Sequence, residues 1–429
     1  MIAKAFQTPT RRAKVLHVIT HLGVGGALDN TLLTVERLPR DTYQVDLAAG
    51  QLSPEEGYKS CEDRSRQGSD NLHFIPNLQR AVHPIADLRA CQELTQLMRR
   101  ERYDIVHTHC AKAGVVGRIA ARRAGVPIVL HTCHAFGNQV VRERRGHVVK
   151  RVSGYAKSRL FTGLERYAGS LSDRVITVCE QNRQQAIDQQ LATAEKVVTV
   201  YSGIDLDQFD RRGDRNLLCH EHSLDPSRPL IGFIGRLCEQ KSPLDFVAAA
   251  KQVSRVRPDA QFLIAGDGPL AKQVDDACRD EPNIHPIGFS QRVPELMSVL
   301  DVLAVSSLWE GLGRSVTEAM IVGVPVAATA VDGIPELVEH ERTGLLSPPR
   351  SPNLLADNII HLLNEPETAK RIAQEARRRV VPAFGADRML ERIDQLYREL
   401  CDEKHGDSDL DLGSVSRHET DRERCRESA

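Results

Sequence analysis

Two doubly wound α/β domains joined in one chain are what this sequence predicts. Three observations carry that expectation. Apolar strand-like runs alternate with helical periodicities along most of the chain, a polar stretch interrupts the rhythm once near the middle, and 429 residues is long for a single core.

The first set opens with KVLHVIT (Lys14–Thr20), followed by the glycine-rich loop HLGVGGALDN and a helical stretch, TLLTVERL. VDLAAG, LHFI, DIVHTH, PIVLHTC, RVITVCE and KVVTVYSG read as further strands, with helical patterns such as ADLRACQELTQLMRRE and AGVVGRIAARRAG between them. Strand alternating with helix implies a parallel sheet covered on both faces. SGIDLDQFDRRGDRNLLCHEHSLDPSRP is polar and poorly periodic and reads as a linker. A second set then runs LIGFI, AQFLIAG, NIHPIG, VLAVSS, VPVAAT and a short strand near TGLLS, with helical patterns to about Tyr397. The expected boundaries are 1–205 for the first domain, 206–228 for the linker, 229–385 for the second domain and 386–401 for a last helix. Residues 402–429 are charged and Ser-rich, and are expected to be disordered.

Composition narrows the function classes. Hydrophobic residues make up 41% and aromatics only 4%, so aliphatic side chains do the packing. With 57 basic against 58 acidic residues there is no bulk positive charge for nucleic acid. The ten cysteines include no CxxC pair, which fits reduced thiols better than a disulfide framework. The first residues lack the apolar centre of a secretory signal, and no apolar run reaches the roughly 18 to 20 residues of a membrane span. A cytoplasmic protein, at most attached to a membrane surface, is expected.

The densest functional signal is SLWEGLGRSVTEAM. Glu310 and Glu318 straddle a strand-to-helix turn at the carboxyl end of a parallel sheet, where open α/β sheets bind ligands. Gly311 and Gly313 allow close approach of the backbone, and the amides of Arg314 and Ser315 begin a helix, a ready anion site. One carboxylate there suits sugar hydroxyls and the other a ribose, so the pattern suggests an enzyme gripping a nucleotide-linked sugar. GRLCEQK follows another strand and places Arg236 and Lys241 five apart, a pair suited to a diphosphate; a solvated loop is the plain alternative. In the first loop Gly23, Gly25 and Gly26 do not complete G-x-G-x-x-G, because Leu28 stands at the third glycine position, so a nicotinamide cofactor is not expected. GDGPL (Gly266–Leu270) is adequately explained as a tight turn.

Four histidines gather at two strand ends: His107 and His109 in IVHTHC, and His131 and His134 in VLHTCHAFG. The members of each pair are expected to sit apart or on a turn, so no metal site is expected. One strand-end histidine facing the cleft could bond a sugar hydroxyl or the reaction centre; a structural cap is the alternative. Between Arg142 and Arg166 there are eight Lys or Arg and two Glu, with apolar residues roughly on one helical face. Such a stretch can lie on an anionic membrane surface or hold an anionic lipid diphosphate, or be an ordinary surface helix.

Taken in order, GGALDN, HTCHAFG, GRLCEQK, GDGPL and EGLGRSVTEAM resemble the retaining GT-B glycosyltransferases of family 4, over about residues 14 to 400. The resemblance implies two Rossmann-like domains facing across a cleft, an acceptor domain first and a sugar-nucleotide domain second, with the last helix returning to the first. It implies that Gly26 lies near the donor phosphate, and that Arg236 and Lys241 neutralise the diphosphate. Glu310 would contact the transferred sugar, with Gly313, Arg314 and Ser315 supporting sugar and phosphate through the backbone. Glu318 would bind the ribose and His134 would face the reaction centre. It implies no metal and no other cofactor, the nucleoside-diphosphate sugar being substrate and a glycan or polyprenyl-diphosphate-linked sugar the acceptor. The chain departs from the family pattern at Leu28, where Glu is frequent, and at Gly313, where Pro is. HTCHAFGN and LERYAGSLSDRVITVCE look like segments of enzymes that build bacterial surface polysaccharides. A sugar-nucleotide epimerase of the same fold and a non-catalytic sugar-nucleotide-binding protein are the rival readings.

Overall fold

The computed structural model describes residues 11–23, 25–50, 58–136 and 162–405. Its thirteen named strands form two wholly parallel sheets. The first holds β1 (Ala13–Ile19), β2 (Tyr43–Gly50), β3 (Asn71–Ile75), β4 (Ile105–His109), β5 (Ile128–Cys133), β6 (Arg174–Thr177) and β7 (Val197–Thr199), in the order β3-β2-β1-β4-β5-β6-β7. The second holds β8 (Leu230–Ile234), β9 (Gln261–Ala265), β10 (Ile284–Gly288), β11 (Val302–Val305), β12 (Val326–Thr329) and β13 (Leu345–Ser347), in the order β10-β9-β8-β11-β12-β13. The apolar runs read as strands in the sequence fall on these thirteen. Strands covered on both faces by helices must be apolar almost throughout, and β4 and β9 are buried at every position.

Both sheets reverse direction of growth once, between β1 and β4 and between β8 and β11. Such switch points open a crevice at the carboxyl ends of the strands. Those two crevices supply most of the site described below.

Segment 206–228 is not a free connector. Leu206–Asp210 forms a 3-10 turn and Arg215–Glu221 a helix, and Phe209, Leu218, Cys219 and Leu224 are buried in the second domain's core. Its few apolar residues are enough to dock it, although charge dominates its composition.

The chain leaves the first domain through Ile204 and comes back past Gly385. The two passes are bonded together, Ile204 N donating to the carbonyl of Phe384 and Ala386 N to that of Ile204, each at 2.9 Å. Helix Ala386–His405 then lays Met389, Ile393, Leu396, Tyr397 and Leu400 into the first domain's core. The basic segment is described only from residue 162, and residues 142–161 lie outside the described residues, as do 406–429 of the charged tail. Among the described residues every cysteine is a free thiol, and no helix is long and apolar enough to cross a membrane.

A second seam joins the domains behind the cleft. Glu336 of the second domain accepts from the amides of Glu180 (2.9 Å) and Gln181 (2.7 Å), the first residues of helix Glu180–Asp188 in the first domain. It also accepts from the Tyr201 hydroxyl at 3.0 Å. A carboxylate on the free amides of a helix start is favourable both as a cap and toward the helix dipole.

Candidate functional site

After β8 the chain passes Gly235 and Arg236 into the 3-10 turn Glu239–Lys241. This turn is strapped to the segment that follows β11. Leu308 N donates to the Gln240 carbonyl at 2.7 Å, Gln240 Nε2 to that of Trp309 at 3.1 Å, and Ser306 Oγ to those of Lys241 and Ser242 at 3.0 and 2.8 Å. The strap carries Lys241 to Glu310, Nζ to Oε1 at 2.5 Å. Ser307 Oγ donates to the same oxygen at 2.6 Å, and the Glu310 amide donates to Asp332 Oδ2 at 2.7 Å. Glu310 is thus a buried, 5%-exposed carboxylate with one oxygen held from two sides. Two residues that the sequence assigns to different parts of a ligand form one ion pair. Arg236, by contrast, is exposed, and its side chain makes no hydrogen bond or ion pair among the described residues.

Gly313 precedes helix Arg314–Val322 at φ 96°, with no side-chain cap, so the amides of Arg314 and Ser315 begin the helix unblocked by a capping side chain. A β-carbon at Gly313 would also press Ile334 at 3.1 Å. The Arg314 side chain turns back, its Nε donating to Glu318 Oε1 at 2.7 Å, and it reaches Asp29 of the first domain at 3.8 Å. Burial pushes the Glu318 carboxyl above its ordinary range, with the Arg314 charge pulling it down and Asp29 adding to the rise.

Gly26 opens helix Gly26–Arg37, and a β-carbon on it would lie 3.3 Å from Arg314 Cδ. His134 follows β5. Its carbonyl oxygen lies 2.0 Å from where a β-carbon of Gly311 would stand, so glycine is the residue that lets the two domains close at this point. The structure brings the residues singled out in sequence together in two places, Gly26 with Arg314 and Glu318, and His134 with Gly311, next to Glu310 and its partner Lys241, and it does not bring Arg236 into contact with either. The glycines of GDGPL pack backbone on backbone, since β-carbons at Gly266 and Gly268 would strike the carbonyls of Gly235 and Leu237. They shape the Arg236 loop.

The histidines differ from the expectation. Residues two apart on a strand share a face, so the rings of His107 and His109 stack, centroids 4.4 Å apart, instead of sitting apart. His17, in register with His107 on β1, joins them. Nitrogens of His17, His107 and His109 all lie within 4.8 Å of one another, near enough to share a metal ion. Each ring is also hydrogen-bonded to its neighbours, His17 Nδ1 to His109 Nε2 at 2.9 Å and His107 to Tyr397 and Thr132, both at 2.7 Å. His131 faces the other side and bonds Thr108 Oγ1 at 3.0 Å. Burial lowers the His134 ring to about 4, which keeps it neutral near pH 7.

Sequence reasoning missed Ser307, Asp332, Asp29 and His17, all of which act through non-local contacts. It also missed His21. That residue follows β1 at the carboxyl edge of the sheet, its Nδ1 is buried with no hydrogen-bond partner among the described residues, and burial and the charges of Arg80 and Arg236 lower its pKa. Its place just past the first strand end was a usable signal.

Residues 25–203 match the family described as glycosyl transferase 4-like domain, and residues 215–379 match glycosyl transferases group 1. The chain is 27% identical over 400 residues to a UDP-Gal:alpha-D-GlcNAc-diphosphoundecaprenol alpha-1,3-galactosyltransferase of Escherichia coli, covering 91% of this chain and 97% of that one. It is 27% identical over 331 residues to an N-acetyl-alpha-D-glucosaminyl L-malate synthase of Bacillus anthracis, covering 76% and 82%. Among solved structures, Anabaena Alr3699/HepE in complex with UDP-glucose superposes with a TM-score of 0.72 at 21% identity, covering 90% of this chain and 99% of that one. Sucrose-phosphate synthase from Thermosynechococcus elongatus does so with a TM-score of 0.74, also at 21% identity, over 90% and 99%.

Proposed function

Because this chain belongs to the group 1 glycosyltransferases of GT-B fold, we propose that it moves a hexosyl or N-acetylhexosaminyl unit from a nucleoside-diphosphate sugar to a polyprenyl-diphosphate-linked sugar, with retention at the anomeric carbon, in building a surface polysaccharide. The observation that carries the reading is the seam at which Gly311, beside the Lys241-paired Glu310, meets His134, and Arg314, paired with Glu318, meets Gly26. Similarity over nearly its whole length to a galactosyltransferase acting on GlcNAc-diphosphoundecaprenol supports this acceptor class.

In this reading Arg236 and Lys241 receive the diphosphate, and the amides of Arg314 and Ser315 add to that field. Once the diphosphate takes Lys241, Glu310 is free to hold sugar hydroxyls, while Glu318 holds the ribose. The bond from the anomeric carbon to the diphosphate oxygen breaks as the acceptor oxygen bonds on the same face. The acceptor proton passes to the leaving phosphate, so no protein nucleophile is needed. The positive charge comes from side chains, and no metal is required. The basic segment 142–166 would bring the enzyme to the cytoplasmic face of an anionic membrane, which co-sedimentation with anionic vesicles tests.

The test is incubation with a panel of UDP-sugars and polyprenyl-diphosphate-linked N-acetylglucosamine, with the product linkage read by NMR. An α-linked product from an α-linked donor is expected. A β-linked product contradicts retention. Conversion of the donor without acceptor would identify an epimerase, and binding without turnover a non-catalytic protein.

A further inference from the structure

A row of buried polar groups leads from His134 to the returning helix. His134 Nε2 lies 3.3 Å from His109 Nδ1, and His109 Nε2 lies 2.9 Å from His17 Nδ1. His17 Nε2 is 3.5 Å from the Tyr397 hydroxyl, which is 2.7 Å from His107 Nδ1, and His107 Nε2 is 2.7 Å from Thr132 Oγ1. His17, His107 and Tyr397 are fully buried and His109 is 1% exposed. The groups come from β1, β4, β5 and the last helix, so the row spans the first sheet and its crossing helix.

We propose that this row fixes which nitrogen of His134 carries the proton, and that Tyr397 is a positioning residue for the transfer reaction although it lies far from it in sequence. The inference rests on the reading of His134 as a group at the reaction centre.

A neutral imidazole has one donor and one acceptor nitrogen. Each inner ring here uses both nitrogens within the row, so the choice at one ring dictates the choice at the next. Only two alignments of the whole row satisfy every member, and a mixed alignment sets two lone pairs or two N–H groups face to face in a buried place. The two contacts of Tyr397 select between them. A phenol is the better donor, and its short contact is to His107 Nδ1, so His107 Nε2–H donates onward to Thr132 Oγ1. The phenol oxygen then accepts from His17 Nε2–H, His17 Nδ1 accepts from His109 Nε2–H, and His109 Nδ1 accepts from His134 Nε2–H. His134 is left with Nδ1 as its lone-pair nitrogen, an acceptor for a sugar or acceptor hydroxyl. Burial supports the count, holding His17 near 3 and His109 and His107 well below the usual range, so that the rings are singly protonated at neutral pH. Burial also keeps the Tyr397 phenol protonated.

The experiment is 15N NMR of histidine-labelled full-length protein, with His134 assigned by its loss in His134→Gln. Protonated and lone-pair nitrogens differ widely in shift. Wild type should show His134 as the Nε2–H tautomer. In Tyr397→Phe, which keeps the ring and removes the hydroxyl, it should become a mixture, and kcat should fall about tenfold with donor KM within about twofold. If that variant fails to fold, His17→Asn cuts the row two rings from His134 and should give the same mixture. An unchanged His134 tautomer in both variants overturns the row, even if turnover falls. A stoichiometric metal ion on the nitrogens of His17, His107 and His109 in the purified protein also overturns it. Undiminished transfer by His134→Gln overturns the role in the reaction through the underlying reading, whatever the tautomer result.

Discussion

Lys241 and Glu310, 69 residues apart in sequence, hold each other at 2.5 Å beneath the cleft, and Ser307 bonds the same carboxylate oxygen. The pair is mostly buried, with side-chain exposures of 19% and 6%, so it is screened little by water. A ligand diphosphate would compete for the lysine and leave the glutamate to the sugar. Glu310→Ala is therefore expected to lower kcat by about 100-fold or more while the nucleoside diphosphate Kd changes by less than about threefold. Calorimetry and initial rates check the split, and near-normal turnover would sink the assigned role.

Arg236 is expected to behave in the opposite way. It is exposed beside a loop shaped by Gly266 and Gly268, and no described residue bonds or pairs with its side chain. Arg236→Ala should leave stability unchanged and weaken nucleoside diphosphate binding by about tenfold or more, the equivalent of one charge-assisted contact of about 1.5 to 3 kcal/mol. Equal affinities for variant and wild type would count against the phosphate site.

Gly311→Ala places a β-carbon against the backbone carbonyl of His134, an atom that cannot swing aside. The domains should part slightly at this point. Transfer should drop by about tenfold or more, because displacements near 1 Å disturb the reacting geometry, while far-ultraviolet circular dichroism stays native. Full activity would show that this contact is not used during turnover.

Acid should unfold the protein early. Burial lowers the rings of His17 to about 3 and of His107, His109 and His131 well below their ordinary 6.5. Between pH 6.5 and those values the unfolded chain binds protons that the native chain does not, so stability falls as pH falls. Each ring contributes up to about 1.4 kcal/mol per pH unit. Because four rings shift in the same direction, the loss of stability should be steep between pH 6.5 and pH 5. Urea titrations across pH 5 to 8 check this, and a flat profile down to pH 5 would contradict it.

Glu336 supplies the cap for a helix in the other domain. Glu336→Ala should cost about 1 to 2 kcal/mol by freeing two amides, with Glu336→Gln retaining part of that. Unfolding followed in parallel for both variants tests it.

The strands were legible because a sheet covered on both sides demands nearly unbroken apolar runs, and the Glu310–Glu318 turn because glycine and carboxylate recur at one strand end. The Lys241–Glu310 pair was not legible, since only the strap between Gln240 and Leu308 brings the two together. The histidine row was hidden for a related reason. His17, His107 and Thr132 become neighbours only once the order β1-β4-β5 is known, and the intervening β2 and β3 set His17 and His107 90 positions apart in sequence. The docking of the linker was hidden because Phe209, Leu218 and Leu224 are too widely spaced to show a period.

The most direct measurement of the central claim is release of free nucleoside diphosphate from a panel of sugar nucleotides by slow hydrolysis, comparing wild type with Glu310→Ala. The account predicts release from one donor, lost in the variant and accelerated by a polyprenyl-diphosphate-linked sugar. Release that survives the substitution, or no turnover from any donor with such acceptors present, would contradict it.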